Sequence, residues 1–237
     1  MFGILDKNTE LTYRILLIIC EIFGIISVIL VSLFFAQGLY SNYYYDWDAN
    51  PFSYHPVMMT TGLVFCFGNA ILLYRTLKST RKLIVKILHA SFLIISLTFA
   101  LVGLVAVIRY KMSRSSIHFV SFHSWLGLTT LILFFFQWIF GFVTFLFPKL
   151  SLKIRSAYMP THRLWGRIIF VLAVVTVIAG LSEHGYGSSF FTTNDVEQKR
   201  RLIINFCGVF TALFGILVIY LVSTSDYQRP PDENVDK

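Results

Sequence analysis

The 237 residues are 56% hydrophobic, 17% aromatic and only 14% charged, with a mean hydropathy of +0.71. Soluble domains carry about 25% charged residues, so this composition excludes a disordered chain, a fibrous repeat and an ordinary cytosolic enzyme. The net charge of +8, from 20 Lys and Arg against 12 Asp and Glu, lies between apolar runs, where it sets membrane topology and does not imply nucleic-acid binding.

A helix crosses a bilayer with about 20 mostly apolar residues. Six runs qualify, at about 15–39, 56–74, 88–108, 120–147, 164–181 and 202–222. The runs lack the two-residue alternation of barrel strands, so the sequence predicts an all-α membrane protein of six transmembrane helices in a single domain. The first run has no small-residue cleavage site before it and reads as a retained span. After it comes the aromatic cluster Tyr40–Trp47, which suits a membrane interface as an anchoring belt. The segment 226–237, with Pro230-Pro231, reads as a cytoplasmic tail. Cys20, Cys66 and Cys207 all fall in apolar stretches, and no Cys-x-x-Cys-His is present, which excludes covalent haem attachment of the c type.

Six spans put both termini on one side. That side collects five basic residues in 75–86, five in 148–167, and Lys7, Arg14, Arg229 and Lys237, fourteen in all against six opposite. The positive-inside rule places the termini in the cytoplasm.

Four of the six histidines, His55, His89, His123 and His162, fall where predicted spans begin, spaced by 34, 34 and 39 residues. Each interval is one span plus one short loop, so the four alternate between the two sides. His55 and His123 share the outer level, His89 and His162 the inner. Two imidazoles facing across a helical bundle are the ligand set of a six-coordinate, non-covalent haem. Zinc asks for three or four ligands at one centre, which neither level supplies. The economical reading is two haems held within helices 2–5, His55 with His123 and His89 with His162. Gly62, Gly127 and Gly166 follow three of these histidines at offsets of seven or four, which keeps them on the histidine's face. There they clear space for porphyrin or permit close helix packing. His118 and His184 lie on the outer side as candidates for a substrate or metal. Glu21, Asn69 and Gln137 are polar groups inside spans, where such side chains face the bundle, and Glu21 is a candidate for a functional role. Two other readings of the histidines remain open: a di-haem subunit serving quinone in a larger complex, and a transporter with a histidine proton relay.

The motifs His55-Pro-Val-Met-Met-Thr-Thr-Gly62, Lys86-Ile-Leu-His89, Ser121-Phe-His-Ser-Trp-Leu-Gly127, Gln137-Trp138, Met159-Pro-Thr-His162 and Gly180-Leu-Ser-Glu183 occur in order. Together they resemble the cytochrome b561 family over nearly the whole chain. The resemblance implies six spans and two b-type haems on helices 2–5, paired as above. It also implies electron transfer from cytoplasmic ascorbate to monodehydroascorbate or ferric iron on the outer or lumenal side. The membrane would be vesicular, endolysosomal or plasma membrane, and the assembly a homodimer. The family's inner ascorbate site is basic, and Arg75, Lys82, Lys86 and Arg155 stand at the matching positions. Many relatives have an aromatic–histidine pair after the third span, where this chain has Tyr110-Lys111. They also have Lys after the glutamate of the fifth span, where His184 stands. Arg109, Lys111, His118 and His184 are therefore the candidates for an outer substrate site.

Overall fold

The computed structural model describes residues 7–36, 44–185 and 195–229, with the side chains of 184, 185 and 195–197 left aside. Among the described residues, six helices are long and apolar enough to cross a bilayer: α1 (Lys7–Phe35), α2 (Pro51–Thr76), α3 (Lys82–Ser113), α4 (Phe122–Phe145), α5 (Leu152–Gly185) and α6 (Asp195–Ser223). Among the described residues there is no strand, and a single short bridge joins Asp46 and Asn50. Helices α2–α5 form one bundle, and α1 and α6 pack against each other along its side.

Several helices run beyond the apolar runs. Helix α3 extends outward through Lys82, Lys86, Arg109 and Lys111, and α5 begins at Leu152, twelve residues before the predicted 164. Hydropathy marks the part of a helix that lies in hydrocarbon. The helix continues into the interface wherever its backbone hydrogen bonds do. In consequence only His55 and His123 sit in the first turn of an α-helix, while His89 is the eighth residue of α3 and His162 the eleventh of α5. Helix α1, in contrast, ends at Phe35, short of the predicted 39. Tyr40–Tyr43 and the tail beyond Arg229 lie outside the described residues.

Local chemistry fixes the starts that matter. Ser121 Oγ accepts from the Ser124 amide (3.3 Å) and Ser124 Oγ from the Ser121 amide (3.2 Å). This reciprocal cap satisfies two orphan donors and starts α4 at Phe122, one residue before His123. Before α2, the Asp46 carboxylate accepts from the amides of Asp48 (2.9 Å) and Ala49 (2.8 Å), and these bonds hold its pKa below the usual carboxylate range. The Tyr45 hydroxyl donates to the Ser32 carbonyl (2.7 Å), and desolvation of that hydroxyl pushes the phenol up to about 12.

Mid-span, α2 widens into a π-helical segment over Thr60–Cys66. Within it Gly62 lies against α3: a Cβ there would stand 2.7 Å from Phe99 Cβ and 2.8 Å from the Ser96 carbonyl, and Ser96 Oγ donates to the Gly62 carbonyl (2.7 Å). Gly62 thus serves close helix packing. On the α1–α6 side, Ser27 and Thr211 hydroxyls meet at 2.6 Å beside Cys207. Such interhelical pairs contribute about 0.6 kcal/mol each in lipid.

Candidate haem-binding site

The rings of His55 and His123 have centroids 6.1 Å apart, and those of His89 and His162 6.5 Å. The four predicted histidines therefore meet as the two predicted pairs. Metal–imidazole nitrogen bonds run about 2 Å, so two rings on opposite sides of one metal ion have centroids roughly 6 Å apart. Both separations fit an iron between the rings.

Each ring is braced from a neighbouring helix. Nδ1–H of His55 donates to the Gly103 carbonyl (2.9 Å), that of His89 to the Ala70 carbonyl (2.7 Å) and that of His123 to the Thr176 carbonyl (2.9 Å). A carbonyl oxygen only accepts, so in these three rings the proton is on Nδ1 and Nε2 presents a lone pair, the form that binds metal. His162 differs, since its Nδ1 lies 3.0 Å from the Gln137 amide nitrogen, which also donates to the His162 carbonyl (2.7 Å).

The arrangement is reciprocal. Helices α2 and α3 brace each other's histidines, as do α4 and α5. Along each helix the brace stands 14 or 15 residues from the histidine: Ala70 from His55, Gly103 from His89, Gln137 from His123, Thr176 from His162. At 1.5 Å per residue the two levels are about 21 Å apart along the helices. Between them lies a buried aromatic layer in which Phe67 packs on Phe134 (4.8 Å) and Phe170 (5.5 Å).

Glycines complete the α4–α5 half. A Cβ on Gly180 would lie 2.6 Å from Cε1 of His123, and one on Gly141 2.8 Å from Cε1 of His162. Each follows its brace, Thr176 or Gln137, by four residues and so stands on the same helix face. Of the glycines singled out in the sequence, Gly127 lines the outer cavity and Gly166 lies near the Gln137 amide.

The outer pair opens on a cavity of about 340 Å³ with Leu63, Leu131 and Ala173 among its lining residues. Lys111, His118 and Glu183 also line it, and Lys111 Nζ donates to the Ile117 carbonyl (3.1 Å). A volume in the range of cofactor pockets, with two imidazoles in its wall and a buried apolar lining, fits haem. Arg109 is placed differently: its guanidinium pairs with Asp48 (3.1 Å) and lies over the Trp47 ring (5.4 Å). The His184 side chain lies outside the described residues.

At the inner pair, Tyr74 lies against His89 (5.6 Å), while Phe145 (5.1 Å) and Tyr158 (5.9 Å) lie against His162. Aromatic residues are so frequent in this chain that nothing in the sequence distinguishes these three. Lys86 Nζ donates to the Phe145 carbonyl (3.2 Å) at the end of α4. Lys82 is exposed one turn before it, and Arg155 is half-buried one turn before Tyr158, its Nε without a hydrogen-bond partner. Arg75 points elsewhere. Its guanidinium donates to the Thr224 carbonyl (3.1 Å) and to the Val222 carbonyl, while Arg229 donates to the Leu77 carbonyl (3.2 Å). Arg75, on α2, thus caps the C-terminal end of α6, and Arg229, beyond the end of α6, caps that of α2. Beside this clasp Lys78 pairs with Glu10 (3.6 Å), and partial burial holds its ammonium below the usual lysine pKa. Glu21 accepts from the Asn69 amide (3.3 Å), one residue before the Ala70 brace.

The model of the eukaryotic cytochrome b561 family matches residues 54–188, which include all four paired histidines. The chain is 34% identical over 239 residues to a transmembrane ascorbate-dependent reductase CYB561 homolog of Caenorhabditis elegans, covering 94% of this chain and 87% of that protein. It is 38% identical over 188 residues to the human transmembrane ascorbate-dependent reductase CYB561, covering 78% and 73%. With the zebrafish lysosomal membrane ascorbate-dependent ferrireductase CYB561A3 it shares 33% over 228 residues, covering 92% and 91%. By the span of the family match, the breadth of these relatives and the six helices, the chain belongs to the eukaryotic cytochrome b561 family.

Proposed function

We propose that this protein is a transmembrane ascorbate-dependent oxidoreductase that passes electrons from cytoplasmic ascorbate to an acceptor on the outer or lumenal side. The observation that carries the reading is the meeting of four histidines in two facing pairs, about 21 Å apart along the helices. His55 with His123, and His89 with His162, hold two b-type haems per chain. Haem supplies the one-electron chemistry when bound; the chain supplies ligands, orientation and access.

At the inner end Lys82, Lys86 and Arg155 bind ascorbate as an anion, drawn by the excess of positive charge around them. Arg75 adds its charge to that field while its guanidinium ties α2 to the end of α6. Tyr158, between Arg155 and His162 on α5, walls the approach to the inner pair. The basic end is cytoplasmic, which puts both termini there. At the outer end Lys111 and His118, on the rim of the cavity, receive the acceptor, monodehydroascorbate or a ferric chelate, both of which carry negative charge. Arg109 and His184 are the remaining members of the outer group. The assembly is a homodimer in a vesicular, endolysosomal or plasma membrane.

A hydrogen bond to a charged group is worth about 1.5–3 kcal/mol, and about 1.4 kcal/mol is tenfold in affinity. Lys86→Ala and Arg155→Ala are therefore each expected to raise the KM for ascorbate about tenfold or more, with both haems retained. Steady-state reduction in vesicles loaded with ascorbate measures this. An unchanged KM in both variants overturns the assignment of the inner substrate site.

A further inference from the structure

Of the four braces, three are backbone carbonyls and one is a side chain, that of Gln137. Gln137 occupies on α4 the position that Thr176 occupies on α5. Each stands 14 residues from a histidine on its own helix, and each is followed four residues on by a glycine that a ring of the partner helix overlies. The equivalence ends at the chemistry. A carbonyl oxygen accepts and does nothing else, so it fixes one tautomer of the ring it faces. A carboxamide offers two donors on one side and an acceptor on the other. In this structure the donor side faces Nδ1 of His162 and holds the His162 carbonyl as well. That contact suits a ring with its proton on Nε2, the reverse of the other three histidines. An imidazole that binds metal through Nε2 carries its proton on Nδ1 and needs an acceptor there. Turning the carboxamide so that Oε1 faces Nδ1 provides it, and in that orientation the bond from the amide nitrogen to the His162 carbonyl is given up.

We propose that Gln137 is the positioning residue of the inner haem ligand His162: a rotatable brace that serves either tautomer, and so sets the orientation and donor strength of one of the four ligands independently of the other three. This rests on the reading of His162 as a haem ligand. Nothing else in the described structure braces the His162 ring by a hydrogen bond, whereas Phe145, Tyr158 and Gly141 confine it by contact alone. The inner haem is then the one whose potential responds to a single side chain.

The test uses the full-length protein in detergent, with haem counted per chain, potentials read by spectroelectrochemistry and low-spin signals by electron paramagnetic resonance. Gln137→Glu supplies an anionic acceptor for Nδ1–H, which strengthens the imidazole as a donor and stabilises ferric iron. Gln137→Leu, close in volume, supplies no acceptor. The expected result is that one midpoint potential falls in Gln137→Glu and rises in Gln137→Leu. The signal of the same haem shifts, while the other haem keeps its wild-type potential and signal. Two haems per chain with both potentials and both signals unchanged in the two variants overturn the proposal. Failure of the underlying ligand reading has a separate signature: His162→Ala retains two haems with wild-type spectra. If one of the Gln137 variants does not fold, the other still decides.

Discussion

A His89→Ala variant is expected to contain one haem per chain in place of two and to lose reduction by ascorbate from the basic side. The effect is large because the ring has no substitute. The Ala70 carbonyl holds Nδ1–H, which leaves the lone pair on Nε2, and the ring stands 6.5 Å from that of His162, with no third described histidine ring against either of them. His55 and His123 have their own braces on Gly103 and Thr176, so the outer haem should remain. A haem count by pyridine haemochrome, read with the absorption change on adding ascorbate, checks both halves. Wild-type haem content and wild-type reduction in this variant are incompatible with the assignment.

The second large effect is steric. Gly180→Val puts a branched side chain where even a Cβ would stand 2.6 Å from the His123 ring. Overpacking typically costs about 1–3 kcal/mol in fold stability. Here the ring is the mobile neighbour, so the strain is relieved by displacing His123 from the Thr176 carbonyl. The variant is expected to keep the inner haem and its reduction by ascorbate, to lose the outer haem, and to fall to background in delivering electrons to an outer acceptor. Reduction of an impermeant ferric chelate outside ascorbate-loaded vesicles measures this. Delivery at the wild-type rate would show that position 180 has no part in seating the ligand.

The contrast among residues shows how far the sequence reaches. The four paired histidines were legible because a bilayer imposes a length: one span plus one loop repeats the spacing and alternates the side. The braces were not, since Gly103, Ala70 and Thr176 act through backbone carbonyls that every residue possesses. Gln137 stood out as a polar group in an apolar run, but its partner lies on another helix. Gly180 appeared only within a motif and Gly141 not at all, because a glycine against a ring across the bundle looks in sequence like one that lets two helices approach. Gly62, singled out with Gly127 and Gly166, is of the second kind.

The basic residues divide in the same way. Counting charges assembles them at one end, but it cannot separate those that meet solvent from those that satisfy the open end of a helix. Arg75 caps α6, whereas Arg155 keeps an unpartnered Nε; at the opposite end Arg109 pairs with Asp48 and lies over Trp47. Helix ends lie outside the apolar runs for a related reason. Hydropathy falls where charged side chains reach the headgroups, yet the backbone of α5 is already helical at Leu152, so His162 lies three turns inside it.

The most direct measurement is the absorption spectrum of the purified protein in detergent, before and after ascorbate, with haem counted per chain. The two facing pairs predict two b-type haems per chain, both low-spin, with the spectrum of the reduced form appearing on addition of ascorbate. A colourless protein, or a single haem that ascorbate does not reduce, would contradict the assignment of the four histidines and with it the account of electron transfer.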